Sequence, residues 1–495
     1  MDKCGILLPL FSLAGRGGIG TAGDGAKRFL EFLSAAGQDF WQILPLQTAD
    51  YGGSPYASES AFACDICYID FDLLVRDGLL DRADVEAFYA ECKSDRVERF
   101  KDERTALLKK AFCKFEKGKE FEKFVEERGN WLRDYALFVA LKELHGGKCW
   151  VDFDEKYRLR DENALKEFAE KNAEKLEFVY FGQYLFFRQW RELLDYAHSL
   201  NVKIIGDIPI YVSYDSADVW SHGELFMLGK DSRPTLEAGC PPDDFNEDGQ
   251  LWGNPVYEWT ALKNSGYRWW SERFKRAAEL YDVIRLDHFR GFESFYAVEA
   301  GRADAKEGKW LKGCGRELFD IAKKEFPESE FIAEDLGFVT DGVRRLIEDT
   351  GFKNMKVLQF GLCDDADSEH LPKNFGSNCV AYTGTHDNDT ARGWYESLSF
   401  EKKRLCRKRL KKRPFEKISR AMIRVLYASR AKYVVIPLYD FLNETSAARI
   451  NTPGLVGKEN WSYRLKELPG RELASKIRIL KEKHTVKNQN PPFKY

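Results

Sequence analysis

The chain has 495 residues, of which 44% are hydrophobic, 32% charged and 14% aromatic. That content of Trp, Tyr and Phe excludes a disordered chain. The balance of 77 Lys plus Arg against 80 Asp plus Glu gives a formal net charge of −3, which argues against a nucleic-acid or basic membrane-surface protein.

In chain order, Met1–Cys4 leads into only a short apolar stretch. No signal-peptide core and no run of about 18 apolar residues is present, so neither secretion nor a membrane span is expected. The 11 cysteines scatter from Cys4 to Cys406 and read as reduced thiols of a cytoplasmic protein. Cys64 and Cys67 form a Cys-x-x-Cys pair without a second pair at zinc spacing, so a structural role is expected.

Eight short apolar runs punctuate the chain: Gly5–Leu8, Phe40–Leu46, Val202–Ile210, Val283–Leu286, Phe331–Ala333, Lys356–Phe360, Cys379–Thr383 and Tyr433–Leu438. Runs this short and rich in β-branched residues predict strands buried on both faces. Helical patterns such as Tyr184–Leu200 and Asp341–Thr350 lie between most of them. The alternation predicts the α/β class with parallel βαβ units, and eight strands fit a (β/α)8 (TIM) barrel. A doubly wound sheet would show the same alternation. The whole chain, 1–495, is expected to form one catalytic barrel domain. Its spacing is uneven, which predicts a helical insertion over about 70–180 and a Gly-, Pro- and aromatic-rich loop insertion over about 213–259. The tail Asn488–Tyr495 is expected to be extended.

Barrel enzymes carry their chemistry at the C-terminal ends of the strands. Four of those ends bear carboxylates: Asp207, then Asp287 with His288, then Glu334 with Asp335, then Asp387 with His386. A single Asp after a strand is commonly a helix cap, but a recurrent set is not explained that way. Clustered carboxylates serve metal binding, or a retaining glycosidase pair about 5–5.5 Å apart. Arg285 repeats the side-chain direction of Asp287, and its charge favours an ionised nucleophile. Glu334 has no adjacent base in sequence and suits the acid/base role. Asp387 with His386 suits contact with sugar hydroxyls.

The set Arg285-x-Asp287-His288-Phe289-Arg290-Gly291, Ala333-Glu334-Asp335-Leu336-Gly337 and Thr385-His386-Asp387-Asn388 resembles the amylomaltases, the 4-α-glucanotransferases of glycoside hydrolase family 77. Trp41–Leu46, Gly53-Ser54-Pro55-Tyr56, Asp215–Trp220, Pro241-Pro242-Asp243, Gly249–Pro255 and Ala448–Gly454 follow in the same order. The resemblance runs from about Gly5 to Arg464. It implies Asp287 as nucleophile, Glu334 as acid/base and Asp387 as transition-state stabiliser. It further implies Tyr56, Asp207, Arg285, His288 and His386 as donor-site contacts, and Gln250 and Trp252 on a loop covering the acceptor side. Ser54, Asp365 and Asn451 are carried over as further substrate contacts. The expected substrates are α-1,4-glucans and maltooligosaccharides, with no metal, no cofactor, no nucleic acid and no membrane partner.

Three other readings are weighed against this one. A hydrolysing α-amylase relative and a non-catalytic glucan-binding protein share the scaffold. The segment Gly15-Arg16-Gly17-Gly18-Ile19-Gly20 matches Gly-x-Gly-x-x-Gly, but no acidic residue follows at the position that a dinucleotide site needs, so a structural loop is expected. Trp269-Trp270 are expected in the core, Trp252 in a sugar-stacking loop, and the basic run Lys402–Lys417 on a solvated helix face.

Overall fold

The computed structural model describes residues 1–48, 53–92, 97–242, 247–455, 457 and 459–485, with backbone only at 97–101. The expected extended tail Asn488–Tyr495 and the motif residue Asp243 lie outside the described residues. Twelve strands are described: β1 (Lys3–Leu7), β2 (Phe40–Gln42), β3 (Lys203–Ile208), β4 (Leu236–Cys240), β5 (Gln250–Pro255), β6 (Val283–Leu286), β7 (Ser294–Glu299), β8 (Gly308–Lys312), β9 (Glu330–Ala333), β10 (Lys353–Val357), β11 (Cys379–Tyr382) and β12 (Tyr433–Pro437). Eight of them close a parallel barrel in the order β1-β12-β11-β10-β9-β6-β3-β2.

Each predicted run therefore supplies one barrel strand. The sixth is shifted. The sequence pattern predicts Lys356–Phe360, whereas β10 covers Lys353–Val357 and Leu358–Leu362 is helical. The polar side chains of Lys353, Asn354 and Lys356 hide the strand's start, because Lys356 is buried but paired with Glu369 at 2.5 Å. The apolar residues beyond it fit a helix as well as a strand. The second run is also shorter than expected: only Phe40–Gln42 pairs as strand.

Helices fill the chain between β2 and β3. They include Arg82–Glu91, Val97–Lys114 and Gly129–Leu144, and end in the 27-residue helix Ala173–Ser199. That last helix is about 40 Å long. Two of its buried glutamines act as substitute strand partners. Gln183 exchanges hydrogen bonds of 2.9 and 2.8 Å with the backbone of Cys64, and Gln189 does the same with Asp70 at 2.8 and 3.0 Å. The Cys64–Cys67 segment is thus held as buried scaffold, and burial pushes the Cys64 thiol up to about 12. In the Gly-rich loop the Arg16 guanidinium stacks over Tyr89 at 4.5 Å and pairs with Glu86, so the loop packs on the helical insertion.

Segment 213–259 holds more order than its composition suggests. It contributes β4 and β5 to an antiparallel sheet of order β5-β4-β7-β8. Its partners β7 and β8 lie beyond β6, as in the pairing Leu236↔Glu299. Trp269 and Trp270 are buried in the helix Arg268–Leu280, as expected. Among the described residues no helix is long and apolar enough to cross a membrane.

Candidate active site

Parallel pairing brings the strand ends into one ring. β3 and β6 pair with Asp207 opposite Arg285. Arg285 Nη1 donates to Asp207 Oδ2 at 2.5 Å and to Asp287 Oδ1 at 3.0 Å. Gly206, just before Asp207, makes room for the Tyr281 ring, which a Cβ there would meet at 2.1 Å. Asp207 is fully enclosed, whereas the Asp287 side chain keeps 26% of its exposure, as a group that must meet a ligand requires.

The chain then turns sharply. His288 adopts φ 44°, ψ 53°, an unusual conformation for a residue with a Cβ. The His288 backbone N–H donates to Glu334 Oε2, 2.7 Å away. The Leu336 N–H donates to Glu334 Oε1 at 2.8 Å. Backbone bonds Phe289 N–H to Glu334 O and Glu334 N–H to Leu286 O, both 3.0 Å, zip the two loops together. The carboxyl of Glu334 is therefore fixed beside the residue that follows Asp287.

The end of β11 supplies the third carboxylate. Asn388 Oδ1 accepts from the Thr385 N–H at 2.8 Å and shapes the turn. Asn451 Nδ2 donates to Asp387 Oδ1 at 2.6 Å. Arg449 Nη2 donates to the Asp387 carbonyl at 2.8 Å. Tyr56 bridges the two halves of the ring: its hydroxyl donates to Asp207 Oδ2 at 2.8 Å and lies 2.9 Å from His386 Nε2. Tyr56 has one proton, already given to Asp207, so His386 Nε2 must be the donor in the second bond. His386 is thereby assigned as the neutral Nε2–H tautomer. Its rings stack with Tyr56 at 5.4 Å and 9°.

The electrostatics follow from burial around one cation. Desolvation opposes the charge on Arg285, but Asp207 and Asp287 outweigh it and hold the guanidinium charged. Burial pushes Glu334 up to about 7 and Asp207 likewise to about 7. Burial lowers His386, and lowers His288 to about 4, so both rings are neutral near pH 7. A carboxyl raised to about 7 can give and take a proton at neutral pH, and a second, partly open carboxylate beside it can attack carbon.

Of the sequence-predicted residues, Tyr56, Asp207, Arg285, Asp287, His288, Glu334, His386, Asp387 and Asn451 belong to one hydrogen-bonded group. Ser54 Oγ accepts from the Tyr56 N–H at 3.3 Å. Trp252 meets His288 edge-on at 4.9 Å, and Gln250 Oε1 accepts from the Trp252 indole at 3.2 Å. Asp365 is exposed in the loop after β10, and no hydrogen bond among the described residues joins it to the group. Two contributors were not singled out from sequence. Trp461 packs its ring 5.9 Å from Tyr56 and 6.1 Å from His386. Arg449 holds the Asp387 main chain; its place beside Asn451 in the motif Ala448–Gly454 was the available signal.

Comparison with known proteins decides the family. A family model described as 4-alpha-glucanotransferase matches residues 8–469. The chain belongs to the 4-alpha-glucanotransferase family. A 4-alpha-glucanotransferase of Clostridium butyricum is 42% identical over 473 residues, which is 94% of this chain and 97% of that protein. One from Aquifex aeolicus is 43% identical over 94% of this chain and 96% of its own length. The structure of an amylomaltase from Streptococcus agalactiae in complex with acarbose superposes with a TM-score of 0.93 at 36% identity, over 98% of this chain and 99% of that one. As in other 4-alpha-glucanotransferases, the activity is transfer of α-1,4-glucan segments.

Proposed function

We propose that the transfer runs in two steps through the residues of this ring. Asp287 attacks the anomeric carbon of an α-1,4-glucan while Glu334 protonates the leaving oxygen. The reducing-side fragment departs and a glycosyl ester remains on Asp287. Glu334, now a base, takes the proton of an acceptor 4-hydroxyl, and that oxygen displaces Asp287 with overall retention. Asp387, held by Asn451, stabilises the positive charge that develops on the sugar ring. The observation that carries this reading is the bond from the His288 N–H to Glu334 Oε2, which keeps the acid/base beside the nucleophile.

Transfer requires the acceptor to beat water at about 55 M, and well-oriented groups reach effective molarities of ~10⁵ M or more. Gln250 and Trp252, on the edge strand β5 that meets His288, form the acceptor-side cover in this reading. The whole chain serves as one catalytic unit. A cytoplasmic location is supported by Cys363 and Cys406, whose sulfurs stand 3.5 Å apart in a hydrogen bond rather than a disulfide.

Maltotriose tests the reading. Glucose and longer maltooligosaccharides are expected at constant total reducing ends. A steady rise in reducing ends would replace transfer by hydrolysis.

A further inference from the structure

Two thiols meet beyond the end of β10, the strand between those that deliver Glu334 and Asp387. Cys363 caps the short helix Leu358–Leu362 that continues β10, and Cys406 stands in the helix Phe400–Arg409. Their sulfurs are 3.5 Å apart and share a hydrogen bond. Cys406 is fully buried, while Cys363 is half-buried.

The two helices are fixed against each other without help from an S–S bond. Arg409 Nη1 donates to the Gly361 carbonyl at 2.7 Å, and Cys406 Sγ donates to the Leu362 carbonyl at 3.7 Å. Leu358, Leu362, Cys406 and Leu410 pack in one buried cluster. A disulfide needs its sulfurs at about 2.05 Å, so an approach of about 1.5 Å remains. Rotation of the two side chains between staggered states supplies movement on that scale.

The surroundings give the two thiols different roles. Burial and the bond with Cys363 push the Cys406 thiol up to about 12, and the charge of Arg409 offsets this only in part. A buried, protonated thiol is not the first to meet an oxidant. Cys363, the more open of the two, is. As a thiolate it takes one oxygen from hydrogen peroxide and becomes a sulfenic acid, and the other oxygen leaves as hydroxide. The Cys406 sulfur then attacks the Cys363 sulfur, and its proton departs with the displaced hydroxide as water. In sum the two thiols lose two electrons and two protons, and the peroxide is reduced to two waters.

We infer that Cys363 and Cys406 form a redox-modification site, a thiol pair that hydrogen peroxide closes reversibly into a disulfide. The two residues are 43 positions apart, and the stretch between them contains β11, His386 and Asp387. A cross-link restricts that stretch in the unfolded chain, so the oxidised protein resists unfolding more than the reduced one. The site is independent of the glucan-transfer reading.

The reduced full-length chain is treated with hydrogen peroxide, its remaining thiols are alkylated, and it is digested without reductant. Exposed Cys113 can join two chains, so the protein is kept dilute and the monomer is isolated first. Mass spectrometry should find one linked peptide pair containing Cys363 and Cys406, which dithiothreitol separates. The urea midpoint read by tryptophan fluorescence should rise on oxidation by roughly 0.5 M and return with dithiothreitol. Cys363→Ser, which keeps a hydrogen-bonding group, should show neither the link nor the rise. A map without this link, a linked chain whose midpoint does not rise, or a rise that persists in Cys363→Ser would overturn the proposal.

Discussion

The His288 backbone N–H donates to Glu334 Oε2 at 2.7 Å. One hydrogen bond thus ties the loop after β6 to the side chain delivered by β9. His288 itself is left-handed, φ 44°, so the chain turns immediately after the donating N–H. The two proposed reacting carboxyls are consequently fixed to each other through the main chain.

The two carboxyls separate chemically if their leaving-group demands differ. Asp287→Asn should lower transfer by at least about 10⁴-fold on every donor, since no covalent route remains. Glu334→Gln should lose about 10²–10⁴-fold on maltotriose. It should still form the glycosyl ester from an α-maltotriosyl fluoride, whose fluoride leaves without a proton. Mass spectrometry of the intact protein reads the ester. Ester formation by the Asp287→Asn chain would contradict the nucleophile assignment.

The pH dependence of activity follows from the same group. Burial pushes Glu334 up to about 7, and the acid step uses its protonated form. kcat/KM should therefore fall above about pH 7, approaching tenfold per unit. Asp207, also raised to about 7 by burial, shares the cation Arg285, so the basic limb belongs to the coupled set. In Glu334→Gln that limb should lose its Glu334 component and become shallower. An unchanged limb would move the titration to another residue.

Stability should carry the opposite signature of that raised value. Glu334 titrates near 4.3 when unfolded and at about 7 when folded. Its contribution is complete below about pH 4 and is lost as pH rises through 7. Relative to Glu334→Gln, the wild-type chain should lose about 1–3 kcal/mol between pH 4 and 7.5 in urea unfolding, with Glu334's partial exposure already discounted. A difference constant across that range would contradict the raised titration.

Asn451 is predicted to act through Asp387. Its amide donates to Oδ1 at 2.6 Å, and a hydrogen bond to a charged group is worth about 1.5–3 kcal/mol. Asn451→Ala should lower kcat by roughly 10- to 100-fold, and Asn451→Asp should lower it further by repulsion. Wild-type kcat in both variants would remove Asp387 from the transition state.

Tyr56→Phe removes the proton given to Asp207 Oδ2 and the oxygen facing His386. Asp207 Oδ1 is already without a partner among the described residues. The loss should cost about 1–3 kcal/mol of stability, because a buried acceptor loses a donor. The urea midpoint should fall at an unchanged slope.

Local pattern alone was enough to determine the eight barrel strands, the parallel alternation and the rim positions of Asp207, Asp287, Glu334 and Asp387. Strands buried on both faces must be short apolar runs, and their ends must meet in one ring once the barrel closes. The long motifs also carried the family. Tertiary structure decided what depends on distant partners. The start of β10 was hidden because Lys356 is buried only by virtue of Glu369, thirteen residues on. The sheet β5-β4-β7-β8 was hidden because β4 finds β7 across more than fifty residues, and such pairing leaves no local period. Trp461 reaches Tyr56 across some 400 residues of chain. The bond that ties Glu334 to the loop after β6 belongs to a backbone N–H, which every non-proline residue carries. Its acceptor is brought to it by the pairing of β6 with β9, which only the closed barrel makes.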